Sequence, residues 1–301
     1  MLAFSYAPQP GTVAAAVLSL ALALGGSAVH AQAPDAAHAG HAPKVAADAS
    51  AHLHQDGRES GLELPDHAWV TAPPRWSPEA YFTNLEDGAA RQSPFVARFG
   101  LSMRGIVPAG QTAGHAGHHH LLIDQPLPLD FKKPLPFTPQ YVHFGKGQME
   151  ALIDLPPGTY TLRLVLADQG HIPYFVYSKP LRVTVTGQNK DASAATVLGP
   201  PRLEILGPAD RSTVQLPMRM QLHASGYNIS HAAPKLAGTG HFRVTLERPN
   251  QKPEVVDLTG GQTEFWLNPP RGDYSARVEL VDNVSGKPTA RGLKPVQFTV
   301  P

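Results

Sequence analysis

Cysteine is absent from all 301 residues. That removes disulfides, thiolate metal ligands, cysteine nucleophiles and a lipid-modified cysteine anchor together. Charge imbalance is missing too: 25 Lys and Arg face 24 Asp and Glu, a formal net charge of +1. No strong field therefore steers the chain toward nucleic acid or an acidic membrane. Long apolar runs are also scarce. Val13 to Leu24 ("VAAAVLSLALAL") is short of the roughly 20 residues that span a bilayer. Followed by the small residues of "AVHAQA", it reads as the apolar region of an export signal, with cleavage after Ala31 or Ala33. An uncleaved anchor is the alternative that its length disfavours, and no Lys or Arg precedes the run. No later segment is long and apolar enough to cross a membrane, so the mature chain is expected to be periplasmic or secreted, with no integral membrane segment.

What is abundant is Pro (31) and Gly (27), which favours short strands and many turns. Residues 32–75 are rich in Ala, His and Pro and carry His38, His41, His52 and His54 without apolar periodicity. Such a segment buries too little apolar surface to offset ordering, and it is expected to be a flexible leader.

The remainder is duplicated. "GHHHLLID" (117–124) aligns with "GHFRVTLE" (240–247), and "GKGQMEALIDLPPGTYTLRLVLAD" (145–168) aligns with "TGGQTEFWLNPPRGDYSARVELVD" (259–282). More loosely, "LEDGAARQSPFVARFGLSMRG" faces "LGPADRSTVQLPMRMQLHASG". Two repeats of about 100 residues, too long for a solenoid period, argue for one unit present twice. Within each, residues alternate. Tyr160, Leu162, Leu164 and Leu166 interleave with polar positions, as do Tyr274, Ala276, Val278 and Leu280. A period of two marks half-buried strands. Many short strands between Pro/Gly turns indicate an all-β protein of two tandem immunoglobulin-like β-sandwich domains. The expected organisation is a signal peptide (1–31), the leader (32–75), a first sandwich (76–187), a linker (188–201) and a second sandwich (202–301). The Tyr after each Pro/Gly turn suggests a tyrosine corner.

The alignment also sorts the triple histidine. In "GHFRVTLE" the apolar set is Phe242, Val244 and Leu246, so His119, Leu121 and Ile123 should face the core. His119 is then a buried imidazole that satisfies backbone or turn groups. His118 and His120 project the other way, roughly 7 Å apart along the strand, and their rings can converge on one cation. Neutral imidazole suits Zn²⁺, Cu²⁺ and Ni²⁺, and three or four ligands are normally needed. His143 and His171 are the expected further ligands, with His115, Asp124 and Glu150 as other candidates. In the second repeat only His241 remains of the set, so a second full site is not expected there. Glu150 and Glu264, repeated beside turns, read as solvated or backbone-bonding residues. Gly145, Gly147, Gly260 and Gly261 read as hairpin glycines, and Met218 and Met220 as core. No nucleophile elbow and no phosphate-cradling loop occurs.

Taken together, "AGHAGHHHLLID", "HFGKGQMEALIDLPPGTYTLRLVLAD" and "HIPYFVYSKPLRVTV" resemble the bacterial envelope family known as domain of unknown function 4399. The likeness covers roughly Tyr81 to Val185, and Leu203 to Val300 looks like a diverged second copy. The resemblance implies a small β domain in the envelope and carries the family's histidines onto His118, His119, His120, His143 and His171. It brings no established activity. The family has a His where this chain has Tyr160, and another where it has Tyr174, so a metal site using those positions in relatives would be weaker here.

Two functions follow as expectations. The first is an exported, non-catalytic protein that binds zinc or copper through His118, His120, His143 and His171. The second is an envelope module that binds a protein or glycan partner without metal. An enzyme that activates water or oxygen at an open metal position is a third, less supported by the spacing.

Overall fold

The computed structural model describes residues 62–128 and 130–301, all within one compact unit; the segments expected to be a signal peptide and most of a leader lie outside these residues. In the first repeat the strands are β2 (Glu79–Phe82), β3 (Ala89–Ser93), β4 (Phe95–Ser102), β5 (His118–Ile123), β6 (Tyr141–His143), β7 (Glu150–Ile153), β8 (Gly158–Ala167), β9 (Pro173–Tyr177) and β10 (Leu181–Gln188). A short helix, α1 (Ala194–Leu198), follows, with the Ser193 side chain accepting from the Thr196 amide at its start. The second repeat has β11 (Arg202–Gly207), β12 (Ser212–Thr213), β13 (Met218–Ser225), β14 (Gly240–Glu247), β15 (Glu254–Asp257), β16 (Glu264–Leu267), β17 (Gly272–Asp282), β18 (Pro288–Arg291) and β19 (Val296–Val300).

Each repeat forms a large and a small sheet, in matching order. The large sheets run β3-β10-β8-β5-β6, with β9 on β8, and β12-β19-β17-β14-β15, with β18 on β17. The small sheets are β2-β4-β7 and β11-β13-β16. This is an immunoglobulin-like sandwich twice over. The expected alternation holds: Leu162, Leu164, Leu166, Ala276, Val278 and Leu280 are all buried in the core. The tyrosine corner is present in both repeats. Tyr160 Oη donates to Pro156 O at 2.9 Å, and Tyr274 Oη donates to Pro270 O at 2.6 Å.

One boundary needs correcting. The leader was expected to extend to residue 75, yet β1 (Val70–Thr71) pairs antiparallel with β16 and extends the second repeat's small sheet. The amide of Asn268 donates to Trp69 O at 2.8 Å, and the Glu63 carboxylate accepts from His231 Nε2 at 3.1 Å. A two-residue strand has no readable period, and its partner lies far along the chain.

The sandwiches meet through repeated contacts. The amide of Ile106 donates to Gly261 O at 2.9 Å, and that of Ile229 donates to Gly147 O at 2.8 Å. Gly147 and Gly261 have φ of 90° and 73°, and a Cβ on either would overlap the facing isoleucine carbonyl. Their role is thus close approach between repeats as well as turn geometry. Glu150 and Glu264, expected to be solvated, are buried at this junction. Glu150 accepts from Ser225 Oγ at 2.9 Å and from His223 Nε2 at 3.3 Å, while Glu264 accepts from Arg219 Nε at 2.9 Å and also from the Tyr81 hydroxyl. Buried carboxylates require such partners. The partners come from strands with no sequence proximity to them, which is why the repeat pattern did not reveal them.

Candidate metal centre

Strand β5 is unusual in that all six of its residues are buried, so both faces are covered. His119 points inward, its ring 5.5 Å from that of Phe99 in the core. The expected hydrogen bonds to backbone or turn groups are not made, because neither ring nitrogen has a partner. His119 behaves as an apolar core ring carrying two unpaired nitrogens.

His118 and His120 point out of the sandwich, as the alignment requires, but not into water: both are 0% exposed. The cover includes residues that lie between β5 and β6. Among them, Leu135 packs with Leu122, Val165 and Ala167 on the outer face of the large sheet, and Leu127 packs beside them. Position His143 on β6 stands directly opposite His120 in the antiparallel register. Facing cross-strand side chains lie within reach of one another.

His171 arrives from the turn between β8 and β9. Its φ of 64° is left-handed, and Asp168 builds the turn that holds it there. Asp168 Oδ1 accepts from the amides of Gly170 at 2.8 Å and Ile172 at 2.9 Å, and His171 N donates to Asp168 O at 3.0 Å. Aspartate is suited to this local backbone bonding. The Asp-x-x-His spacing in the sequence is the trace of that turn.

The four expected residues therefore come together. One ring nitrogen from each of His118, His120, His143 and His171 lies within 4.8 Å of the others. His118 Nε2 is 3.1 Å from His120 Nε2 and 3.1 Å from His171 Nδ1. A tetrahedral ion with Zn–N bonds of 2.0–2.1 Å would set ligand nitrogens about 3.3 Å apart. A neutral imidazole nitrogen offers one proton or one lone pair, so His118 Nε2 cannot make good hydrogen bonds to both neighbours. His143 Nε2, also buried, has no hydrogen-bond partner. The donor set fits a cation that would take the converging lone pairs. The other candidates stand apart. Asp124 Oδ1 accepts from the Thr161 amide at 2.6 Å, Glu150 is engaged at the junction between repeats, and His115 lines a shallow recess with Glu63 and Gln262.

The second repeat provides an internal comparison. By strand register, His241 takes the place of His118, Arg243 that of His120 and Asp257 that of His143. There Arg243 donates to Asp257 through Nε at 2.9 Å and through a terminal nitrogen at 2.7 Å, and His241 Nδ1 meets Asn283 Oδ1 at 2.7 Å. Burial raises the Asp257 pKa, but hydrogen bonds from His241 and Arg243 outweigh it and hold the value down at about 2. The same place in the fold is thus filled by protein groups of complementary charge.

The four imidazoles have no such balance. Burial, then repulsion from His143 and His171, brings His118 down to about 3. Burial and the neighbouring rings, His118 first, bring His120 down to about 2. Burial alone brings His119 down to about 4, and burial followed by His171 lowers His143. His118, His119, His120 and His143 are thus held neutral, the form that binds metal. A stability prediction follows for metal-free protein. The unfolded chain takes up protons below about pH 6.5, while the folded state refuses them until its depressed values. Stability is therefore complete above about pH 6.5 and is lost as pH falls toward 4 and below, by about 1.4 kcal/mol per pH unit for each of the fully buried rings of His118, His119 and His120. Denaturant midpoints of chelator-treated protein at about pH 7.5 and about pH 5 check it. Equal midpoints would contradict the buried neutral cluster.

Residues 97–186 match the family model described as Domain of unknown function (DUF4399), the family that the motifs indicated. The match spans the first repeat from β4 to β10 and includes all four histidines. No curated protein matches. Among solved structures the chain is similar to fibronectin(III)-like modules of Clostridium thermocellum CbhA (13% identity, 73% of this chain, 93% of that chain, TM-score 0.21). It is also similar to chicken CNTN1 FN1-FN3 domains (12%, 74%, 65%, 0.23). A third is Bacteroides ovatus SGBP-B in complex with a mixed-linkage heptasaccharide (13%, 74%, 48%, 0.21). The fold assignment rests on this chain's own strand order and register.

Proposed function

We propose that this is an exported, non-catalytic envelope protein that binds one divalent transition ion, zinc or copper, through His118, His120, His143 and His171. The observation that carries the reading is the contrast between repeats. One place in the fold is closed by an Arg243–Asp257 pair in the second repeat, and the equivalent place in the first holds four imidazoles whose ring nitrogens converge within 4.8 Å of one another. Four imidazoles fill the positions of a tetrahedral ion, which suits retention of metal rather than catalysis at a vacant position. Metal buffering or delivery is the function such a site serves. Export rests on the N-terminal signal sequence, and among the described residues no helix is long and apolar enough to cross a membrane.

The test is isothermal titration of the metal-stripped protein with Zn²⁺ and Cu²⁺, beside a variant lacking residues 32–61. One ion per chain, bound equally by both, is the expected result. Binding that disappears with the deleted segment would move the site to the leader histidines and overturn the assignment.

A second reading has an observation of its own. Phe175 is 67% exposed, stacks on Phe131 at 4.2 Å, and has Tyr177 as its neighbour on the same strand face. An exposed aromatic patch of this kind suits a protein or glycan partner. Partner recovery from envelope extracts that is indifferent to chelator would favour that reading over the metal one.

A further inference from the structure

The ion, on the reading above, would enter from the outer side of the cluster. His118 and His120 are fully buried at the sheet, whereas His143 and His171 are partly exposed and form the outer side of the cluster. Over these two rings lies Phe137, which is 66% exposed although its ring is large and apolar. Its centroid is 4.7 Å from that of His171 and 5.5 Å from that of His143, edge-on to both at 81°. The exposed ring thus lies against both outer ligands of the cluster.

The segment carrying Phe137 is fastened on both sides of it. Upstream, Leu135 is buried with Leu122, Val165 and Ala167, and its amide donates to His171 O at 2.9 Å. Downstream, Tyr141 N donates to Thr138 O at 3.0 Å where β6 begins. Between these anchors Pro136 and Phe137 are exposed, so the ring can swing without unfolding either anchor. On the opposite side Gly145 lies against the His143 ring edge, where a Cβ would overlap it. His143 is thus confined on one side by backbone and on the other by a movable ring.

We infer that Phe137 is the lid of the histidine site and sets the rate at which a metal ion enters and leaves. A lid that covers the outer ligands without supplying one raises the barrier to loading and to release together. It therefore changes exchange rates far more than equilibrium affinity.

The inference rests on the metal reading, and one experiment separates their failures. Zn²⁺-loaded full-length protein is mixed with excess 4-(2-pyridylazo)resorcinol in a stopped-flow instrument, and loading of stripped protein is followed in the same way. Wild type, Phe137→Ala and Phe137→Leu are compared after their urea midpoints have been matched. For Phe137→Ala both release and loading should be about tenfold faster, with the dissociation constant changed by less than about threefold, and Phe137→Leu should fall between. Unchanged rates in Phe137→Ala would overturn the lid alone. Faster release with unchanged loading would overturn it too, since Phe137 would then be bracing the ligands rather than gating them. Wild type that takes up no stoichiometric Zn²⁺ would remove the metal reading and the lid with it.

Discussion

Replacing His118 and His120 together by alanine is expected to weaken Zn²⁺ binding at least about a hundredfold, beyond what loss of an outer-sphere partner costs, and to leave the sandwich folded. These rings project away from the core that Phe99, Leu121, Leu164 and Leu166 build on the inner face of β5, so their removal leaves that packing in place. Titration calorimetry measures the affinity, and the urea midpoint reports the fold. Ion at a hundredfold over its dissociation constant should stabilise wild type by about 2.7 kcal/mol, an increment absent from the double variant. A companion variant, His120→Arg with His143→Asp, copies the Arg243–Asp257 pair of the second repeat into the first. It should also lose the metal while remaining at least as stable as the alanine pair, because the introduced charges satisfy each other. Undiminished affinity in either variant would sink the four-histidine site.

His119→Ala should do the reverse. It should cost about 2–4 kcal/mol of stability, overlapping the lower part of the range for losing a larger core ring, and leave metal affinity within about threefold. The ring is buried against Phe99, and alanine would leave a cavity between the two sheets. His119→Phe should recover the loss, because Phe242 occupies the matching position in the second repeat and both His119 nitrogens are buried without partners. Removing orphan polar atoms from a core is favourable when the shape still fits. Chemical denaturation of the three proteins decides it. Equal stability of His119→Ala and wild type would mean that the ring is not a core element.

Part of the site was legible because the chain contains its own aligned comparison. Setting Phe242, Val244 and Leu246 against the triplet assigned His119 inward and His118 with His120 outward, and the register bears out both directions. His143 was identifiable as a residue type and through the family resemblance, but nothing local says that it stands opposite His120. His171 had a faint signal in the Asp168 turn. Phe137 had none, because an exposed aromatic in a Pro-rich segment is indistinguishable from ordinary loop composition. Glu150 and Glu264 misled for a related reason: a carboxylate beside a turn looks solvated until the facing repeat buries it.

The sequence by itself determined the elements and their duplication. Strand alternation, turn glycines and the tyrosine corners are set by residues within a few positions of each other, and local sterics and side-chain period act at that range. Only the tertiary structure decided which outward face is covered and what meets there. The burial of the outer face that carries His118 and His120 depends on Leu127 and Leu135 packing back over it, and the junction glutamates depend on one sandwich docking against the other. Those contacts join residues tens to more than a hundred positions apart. Their geometry is fixed by packing of whole sheets, which local sequence pattern does not encode.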